Sequence, residues 1–168
     1  VGLPPSGSAT LVNHTANSSI DLKSTAVRGF PWTGTVSADW DNFTQNWLDQ
    51  LTGSPSAYAD SLPTEFRDGA ATGVVNLVTY PAPSVIIVSN DTLPYLWSGN
   101  PINTPILIKN GPGSLTRAGG EADFITTIEL NAGSYAVSNL YDATLASVLT
   151  DTGAGLGTFV KQGPSLLT

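Results

Sequence analysis

The chain has 168 residues and a formal net charge of −7; it contains no Cys and one His, and 11% of its residues are charged. That length suits one domain with a real hydrophobic core, whereas the composition excludes disulfide frameworks, thiolate metal sites, Cys nucleophiles and sites that need two imidazoles. Six Lys and Arg residues spread along the chain exclude a surface that tracks nucleic-acid phosphates, and no apolar run approaches the roughly 20 residues of a membrane-spanning helix.

Residues 1–36 are polar and predict an extended arm with two short strands, around residues 10–13 and 20–23. Phe30 and Trp32 flank Pro31 in a segment that is too short to form its own core. We therefore expect these two side chains to pack on the rest of the domain or on a neighbouring chain.

The clearest predicted element is an amphipathic α-helix over residues 37–52. Ser37 suits the N-cap position and Gly53 suits the residue after the last turn. The apolar residues fall on one helical stripe, which consists of Trp40, Phe43, Trp47, Leu48 and Leu51.

From residue 73 onward, apolar runs separated by turn signals predict strands over residues 73–80, 84–89, 104–109, 123–130, 134–141, 144–150 and 156–161. The short connections favour antiparallel pairing, because neighbouring parallel strands need crossovers of about a dozen or more residues. No internal repeat is evident. The predicted fold is mainly β, an antiparallel β-sandwich or jelly-roll-like barrel with one packed helix. The predicted division is an arm over 1–36 and a single β-rich domain over 37–168.

An aromatic cluster provides the candidate binding residues. Tyr95 and Trp97 lie between Asn90 and Asn100, in a segment that reads as a loop. Exposed aromatic rings beside amide side chains suit a sugar or a protein partner. The alternative interpretation is that these rings close one end of the sandwich as part of the core.

A pair of acidic residues provides the candidate metal site. Glu121 and Asp123 flank Ala122 at the entrance of a predicted strand, where both carboxylates share one face. With carbonyl groups of the preceding Gly119–Gly120 loop they offer the oxygen ligands that Ca²⁺ prefers. The alternative is a solvated loop margin, and no other cofactor is predicted.

Four N-x-[ST] sequons are present, and they are typical of glycosylated exterior proteins. A chain rich in Ser and Thr also produces such triplets without modification. The candidate residues are Asn13, Asn17, Asn42 and Asn90.

The segment Leu-Thr-Asp-Thr-Gly-Ala at residues 149–154 resembles the active-site motif of aspartic proteases. The resemblance implies that Asp151 shares a proton with a second carboxylate across a dimer axis. Only 17 residues follow Asp151, which is short for the flap and closing strands of such enzymes. A strand end followed by a glycine turn accounts for the same residues, and no catalytic residue is assigned.

These features favour a protein that is not an enzyme: a structural or assembly subunit exposed to the exterior, either of a virion surface or capsid type or of an extracellular filament. Such a protein is expected at a virion surface or outside the cell, as a homo-oligomer without nucleic-acid contacts or a membrane span. Two alternatives stay open. One is a secreted β-sandwich module that binds a carbohydrate, a receptor or another partner, and the other is an acid hydrolase that uses Asp151.

Overall fold

A computed structural model describes residues 8–14, 19–25, 30–119, 122–139, 145–151, 157–164 and 167, with the backbone alone for 8–14, 19–25 and 139. Strands account for all the regular secondary structure of these residues. In chain order they are β1 (Ser8–His14), β2 (Ser19–Thr25), β3 (Phe30–Pro31), β4 (Asp39–Trp40), β5 (Trp47–Asp49), β6 (Ser54–Ser56), β7 (Pro63–Arg67), β8 (Val74–Leu77), β9 (Val85–Ser89), β10 (Tyr95–Gly99), β11 (Asn103–Asn110), β12 (Ser114–Gly119), β13 (Phe124–Leu130), β14 (Ser134–Asn139), β15 (Val148–Thr150) and β16 (Thr158–Gln162).

The main body is a parallel β-solenoid of about four turns. A first sheet contains β3, β7, β9, β11, β13 and β15, and a second sheet contains β4, β8, β10, β12, β14 and β16. The chain alternates between the two sheets, so each turn adds one strand to each. The antiparallel sandwich or jelly-roll barrel predicted from the sequence is therefore wrong. Antiparallel pairing is confined, among the described strands, to the hairpins β1–β2 and β5–β6.

The register of the first sheet shows a regular advance along the chain. Thr64 pairs with Ile86, and the following partners in the same column are Leu107, Ile128 and Leu149, at steps of 22, 21, 21 and 21 residues. Each step contains a strand of the other sheet and two corners. Parallel pairing requires a long crossover, and here a strand of the other sheet forms that crossover. Consecutive strands therefore do not pair with each other in the solenoid.

The core lies between the two sheets, where the inward side chains of their strands are buried. Ile86, Leu107 and Ile128 stack in one inward column of the first sheet, and all three are fully buried. Leu115 and Tyr135 stack opposite them in the second sheet. Each inward side chain therefore packs on the equivalent side chain one turn away.

The predicted helix over residues 37–52 is absent, and the segment forms β4, β5 and turns. Side-chain hydrogen bonds to the local backbone replace helical ones. The Asp41 carboxylate accepts hydrogen bonds from the N–H groups of Phe43 and Thr44 at 2.8 and 2.6 Å. The buried Asn46 accepts bonds from Val36 and Ser37 through its Oδ1. The supposed stripe is consequently divided: Trp40 and Trp47 are buried, whereas Phe43 and Leu51 are 84% and 72% exposed.

An aromatic cap closes the end of the solenoid at which β3 and β4 lie. Trp47, on the hairpin β5–β6, packs against Trp32, Trp40 and Phe66 with ring centroids 5.1–5.5 Å apart. Phe30 and Trp32 belong to this buried cluster. These two side chains are therefore covered by the chain itself and need no neighbouring molecule.

We expect Trp47→Ala to reduce the free energy of unfolding by about 3–5 kcal/mol, because a large ring is removed from a closely packed site. Phe43→Ala is the matched control: the helical stripe would bury both rings, whereas the solenoid exposes Phe43. Chemical denaturation of both variants measures the difference. Equal losses of stability would support the helix and contradict the cap.

Candidate functional site

The predicted binding residues Tyr95 and Trp97 lie in the core rather than on a surface loop. They are the two inward residues of β10, and each is 1% exposed. The Tyr95 hydroxyl donates a hydrogen bond to the carbonyl of Arg67 at 2.6 Å. Burial is the main cause that raises the pKa of Tyr95 above its ordinary value. Neither ring is accessible to a ligand, which corrects the expectation of an exposed cluster.

An ion pair between Arg117 and Asp123 lies at the corner where β12 leads toward β13. The Arg117 Nε donates to the Asp123 carboxylate at 2.9 Å, and both side chains are almost fully buried. The same guanidinium donates to the carbonyls of Gly99 and Asn100, and the Asp123 Oδ1 also accepts a bond from the N–H of Ile102. The pair therefore links two successive turns of the solenoid.

This arrangement bears directly on the predicted calcium site. Glu121 lies outside the described residues, and the carboxylate of Asp123 is occupied by Arg117 and by a backbone N–H group. Over the part of the chain that the structure describes, no group of three or more His, Cys, Asp and Glu side chains is arranged to hold a metal ion.

The four sequon residues differ in their surroundings. Asn42 is exposed on the turn after β4. Asn90 is completely buried, and its Nδ2 donates to the carbonyls of Leu93 and Ser114; a glycan on that nitrogen would replace one of the two N–H groups that make these bonds. Asn13 belongs to β1, of which only the backbone is described, and Asn17 lies outside the described residues.

Asp151 is exposed directly after β15. Residues 152–156, which complete the motif that resembles aspartic proteases, lie outside the described residues. The geometry that such a carboxylate would need therefore stays a prediction from the sequence.

A buried lysine organises the corner between β11 and β12. Lys109 points inward, and its Nζ donates to the carbonyls of Asn110 and Gly111 at 2.7 and 2.8 Å. Nearby, the Asp68 carboxylate accepts bonds from the N–H groups of Asp91 and Thr92, among others. Both side chains thus satisfy backbone groups that the corners remove from the sheets.

A hollow of about 300 Å³ opens on the outer face of the first sheet. It is lined by Asn103, Asp123, Phe124, Ile125, Thr126 and Ala146. Phe124 stands at this hollow with 69% of its surface exposed. Asn103 is its register partner in the neighbouring strand. Sequence reasoning missed this site, although the alternation Phe124, Ile125, Thr126 already places the first and third residues on one face.

The last strand of the first sheet, β15, leaves one core position partly uncovered. Leu149 continues the inward column of Ile86, Leu107 and Ile128 but is 44% exposed. The adjacent Val148 is 59% exposed. In the sheets formed by the described strands, β15 and β16 have a neighbour on one side only.

Comparison of the chain with protein-family models, with curated proteins and with solved structures gives no match. None of the described residues forms a helix that is long and apolar enough to cross a membrane.

We expect Asp123→Asn to lower the free energy of unfolding by about 3–5 kcal/mol, because it leaves a buried guanidinium without its counter-charge. Glu65→Gln is the control, because it breaks the ion pair between Glu65 and the exposed side chain of Arg67. This variant should lower the free energy of unfolding by about 0–1 kcal/mol. Urea denaturation in calcium-free buffer measures both. Similar small losses for the two variants would show that the Arg117–Asp123 pair does not hold the corner.

We also expect a pH dependence from Lys109. Burial lowers the pKa of this amine from 10.5 to about 8, against the opposing effect of Asp91 and Asp68. Between pH 8 and pH 10.5 the Lys109 amine is more protonated in the unfolded chain than in the folded one. The free energy of unfolding should therefore rise with pH over this range. The neutral amine still has two N–H groups for its two near carbonyls.

The measurement is denaturant unfolding across pH 8–10, with Lys109→Met compared against the unmodified chain. Lys161 makes the equivalent bonds to the carbonyls of Gln162 and Gly163 at an exposed site, so Lys161→Met is the matched control. The rise should persist in Lys161→Met and be lost in Lys109→Met. An unchanged pH slope in Lys109→Met would contradict the assignment.

Proposed function

We propose that the chain is a non-catalytic assembly module, a β-solenoid rod that associates with further copies of itself in an extracellular or virion-surface structure. One observation carries this proposal. The inward column of the first sheet is fully buried at Ile86, Leu107 and Ile128, but its next member, Leu149, is 44% exposed.

The open strands offer two complementary sources of binding free energy. Covering Leu149 and Val148 would remove apolar surface from water, which is favourable by about 25 cal/mol per Å². An outer strand also presents N–H and C=O groups that can pair with another strand. A surface with both features suits a β-strand partner in register with β15.

The opposite end of the solenoid differs, because the hairpin β5–β6 and the rings of Trp32, Trp40 and Trp47 cover it. Head-to-tail stacking would require this cap to open. A second copy that meets the first through the same open strands needs no such change, and it gives a closed, two-fold symmetric contact.

The roles of the buried charged groups support a non-catalytic assignment. Lys109, Arg117 and Asp123 each bond to backbone groups at the corners of the solenoid. A catalytic residue needs a polar group that is accessible to substrate; Lys109 and Arg117 are held in the interior, and the Asp123 carboxylate is paired with Arg117.

The other expectations stay predictions beside this proposal. Calcium at Glu121 and Asp123 would be detected by a metal titration of the full chain. An aspartic-type hydrolase would show pepstatin-sensitive activity at acid pH that is lost in Asp151→Asn.

We expect the chain to self-associate in light scattering coupled to gel filtration, and Leu149→Asp to reduce the association, because a carboxylate would be buried in the contact. Leu51→Asp is the matched control, since Leu51 is an exposed leucine on the turn after β5. Far-UV circular dichroism checks that both variants fold. A monomeric parent chain, or equal effects of the two substitutions, would refute the proposed contact.

A further inference from the structure

We propose that the hollow beside Phe124 is a binding site for a neutral carbohydrate. The inference is independent of self-association, because it depends on a surface that the strands of a single chain form. The residues that carry it are Asn103, Phe124 and Thr126.

Phe124 is exposed beside the hollow. Its neighbours Ile125 and Ile128 point inward and fill the core of this turn, whereas Phe124 contributes to the outer surface. Next to a concave surface, an exposed aromatic ring offers a ligand an apolar contact. The flat apolar face of such a ring can stack on the C–H groups of a sugar ring.

The polar lining matches the hydroxyl groups of a sugar. The Asn103 amide both donates and accepts hydrogen bonds, and the Thr126 hydroxyl does the same. Both side chains are exposed. Because sugar hydroxyls also donate and accept, each of these groups can be satisfied in either sense.

The charges at the hollow disfavour ionic ligands. Among the described residues that line it, Asp123 is the one charged residue, and its carboxylate accepts bonds from Arg117 and from the N–H of Ile102. The Arg117 guanidinium balances the charge of this carboxylate, so the pair attracts neither a cation nor an anion strongly. A neutral polyol needs neither attraction.

The backbone holds the site rigid before binding. The N–H of Phe124 donates to the carbonyl of Ile102 at 2.7 Å, and the N–H of Asn103 donates to the carbonyl of Pro81 at 3.0 Å. These bonds fix three successive turns of the solenoid, each of which we call a rung, and this lowers the entropic cost of binding. Because these backbone groups are already paired, a peptide strand could not add to the sheet here, which favours a sugar over a peptide.

The same rungs suggest a linear ligand. Tyr80, which is 66% exposed, precedes Pro81 and so lies two rungs from Phe124. Rungs are about 4.8 Å apart, which separates the two backbones by about 10 Å along the solenoid axis. A hollow of about 300 Å³ is at the small end of ligand sites, so we expect one or two sugar rings of a longer chain to occupy it.

The test is an array of neutral oligosaccharides of two to six units, built from hexose, pentose and N-acetylhexosamine, followed by titration of the best binder against the full chain. Phe124→Ala should weaken binding at least tenfold, and Asn103→Ala should weaken it by a smaller factor. Phe43→Ala removes another exposed ring, far along the chain from the hollow, and should leave binding unchanged.

Both aromatic substitutions are at exposed positions, so thermal unfolding should be unchanged and a loss of binding would not reflect unfolding. Absence of binding across the array would overturn the proposal, as would binding of acidic or sulfated sugars alone. Equal effects of Phe124→Ala and Phe43→Ala would also overturn it. The oligomeric state, measured on the same samples, reports separately on self-association.

Discussion

The hydrogen-bond ladder between successive turns is the constraint on which the rest of the molecule depends. Every turn must return the chain to a position one strand separation further along the axis, in register with the previous turn. The inward residues then form columns such as Ile86, Leu107 and Ile128, in which equivalent side chains stack. The register fixes these columns, while the corners between the strands are free to differ in length and sequence.

The corners create the main physical cost of this architecture, because they remove backbone groups from the ladder in a partly buried setting. Polar side chains inside the solenoid meet that cost. Lys109 donates to two corner carbonyls, Arg117 donates to two carbonyls of the preceding turn, and Asn90 donates to the carbonyls of Leu93 and Ser114. Several of the few charged residues in the chain therefore have structural roles.

The sequence predicts part of the strands, misses others such as β10 and β12, and does not predict their arrangement. The expected strands over 84–89 and 104–109 correspond to β9 and β11, because continuous apolar runs are a local property. Pairing is not local: in the second sheet the steps between register partners are 37 residues from β4 to β8 and 20 to 24 residues for the later strands, so no fixed repeat is visible. The recurring Gly-Ser pairs before Leu115 and Tyr135, which share one register position, are the signal that could have revealed it. The prediction of the binding site is wrong for a related reason. Tyr95 and Trp97 are alternate residues of a strand and point inward, whereas Phe124 points outward.

The proposed contact between copies and the proposed sugar site adjoin one another. Ala146, which lines the hollow, lies two residues before β15 in the last turn of the first sheet. A second copy that pairs with β15 would therefore extend the wall of the hollow beyond Ala146. If a bound sugar contacts that added wall, sugar binding and self-association must favour each other, because a ligand that contacts both copies stabilises the associated state. The parallel ladder places the two surfaces side by side, so the same architecture that leaves Leu149 uncovered also makes such coupling geometrically direct.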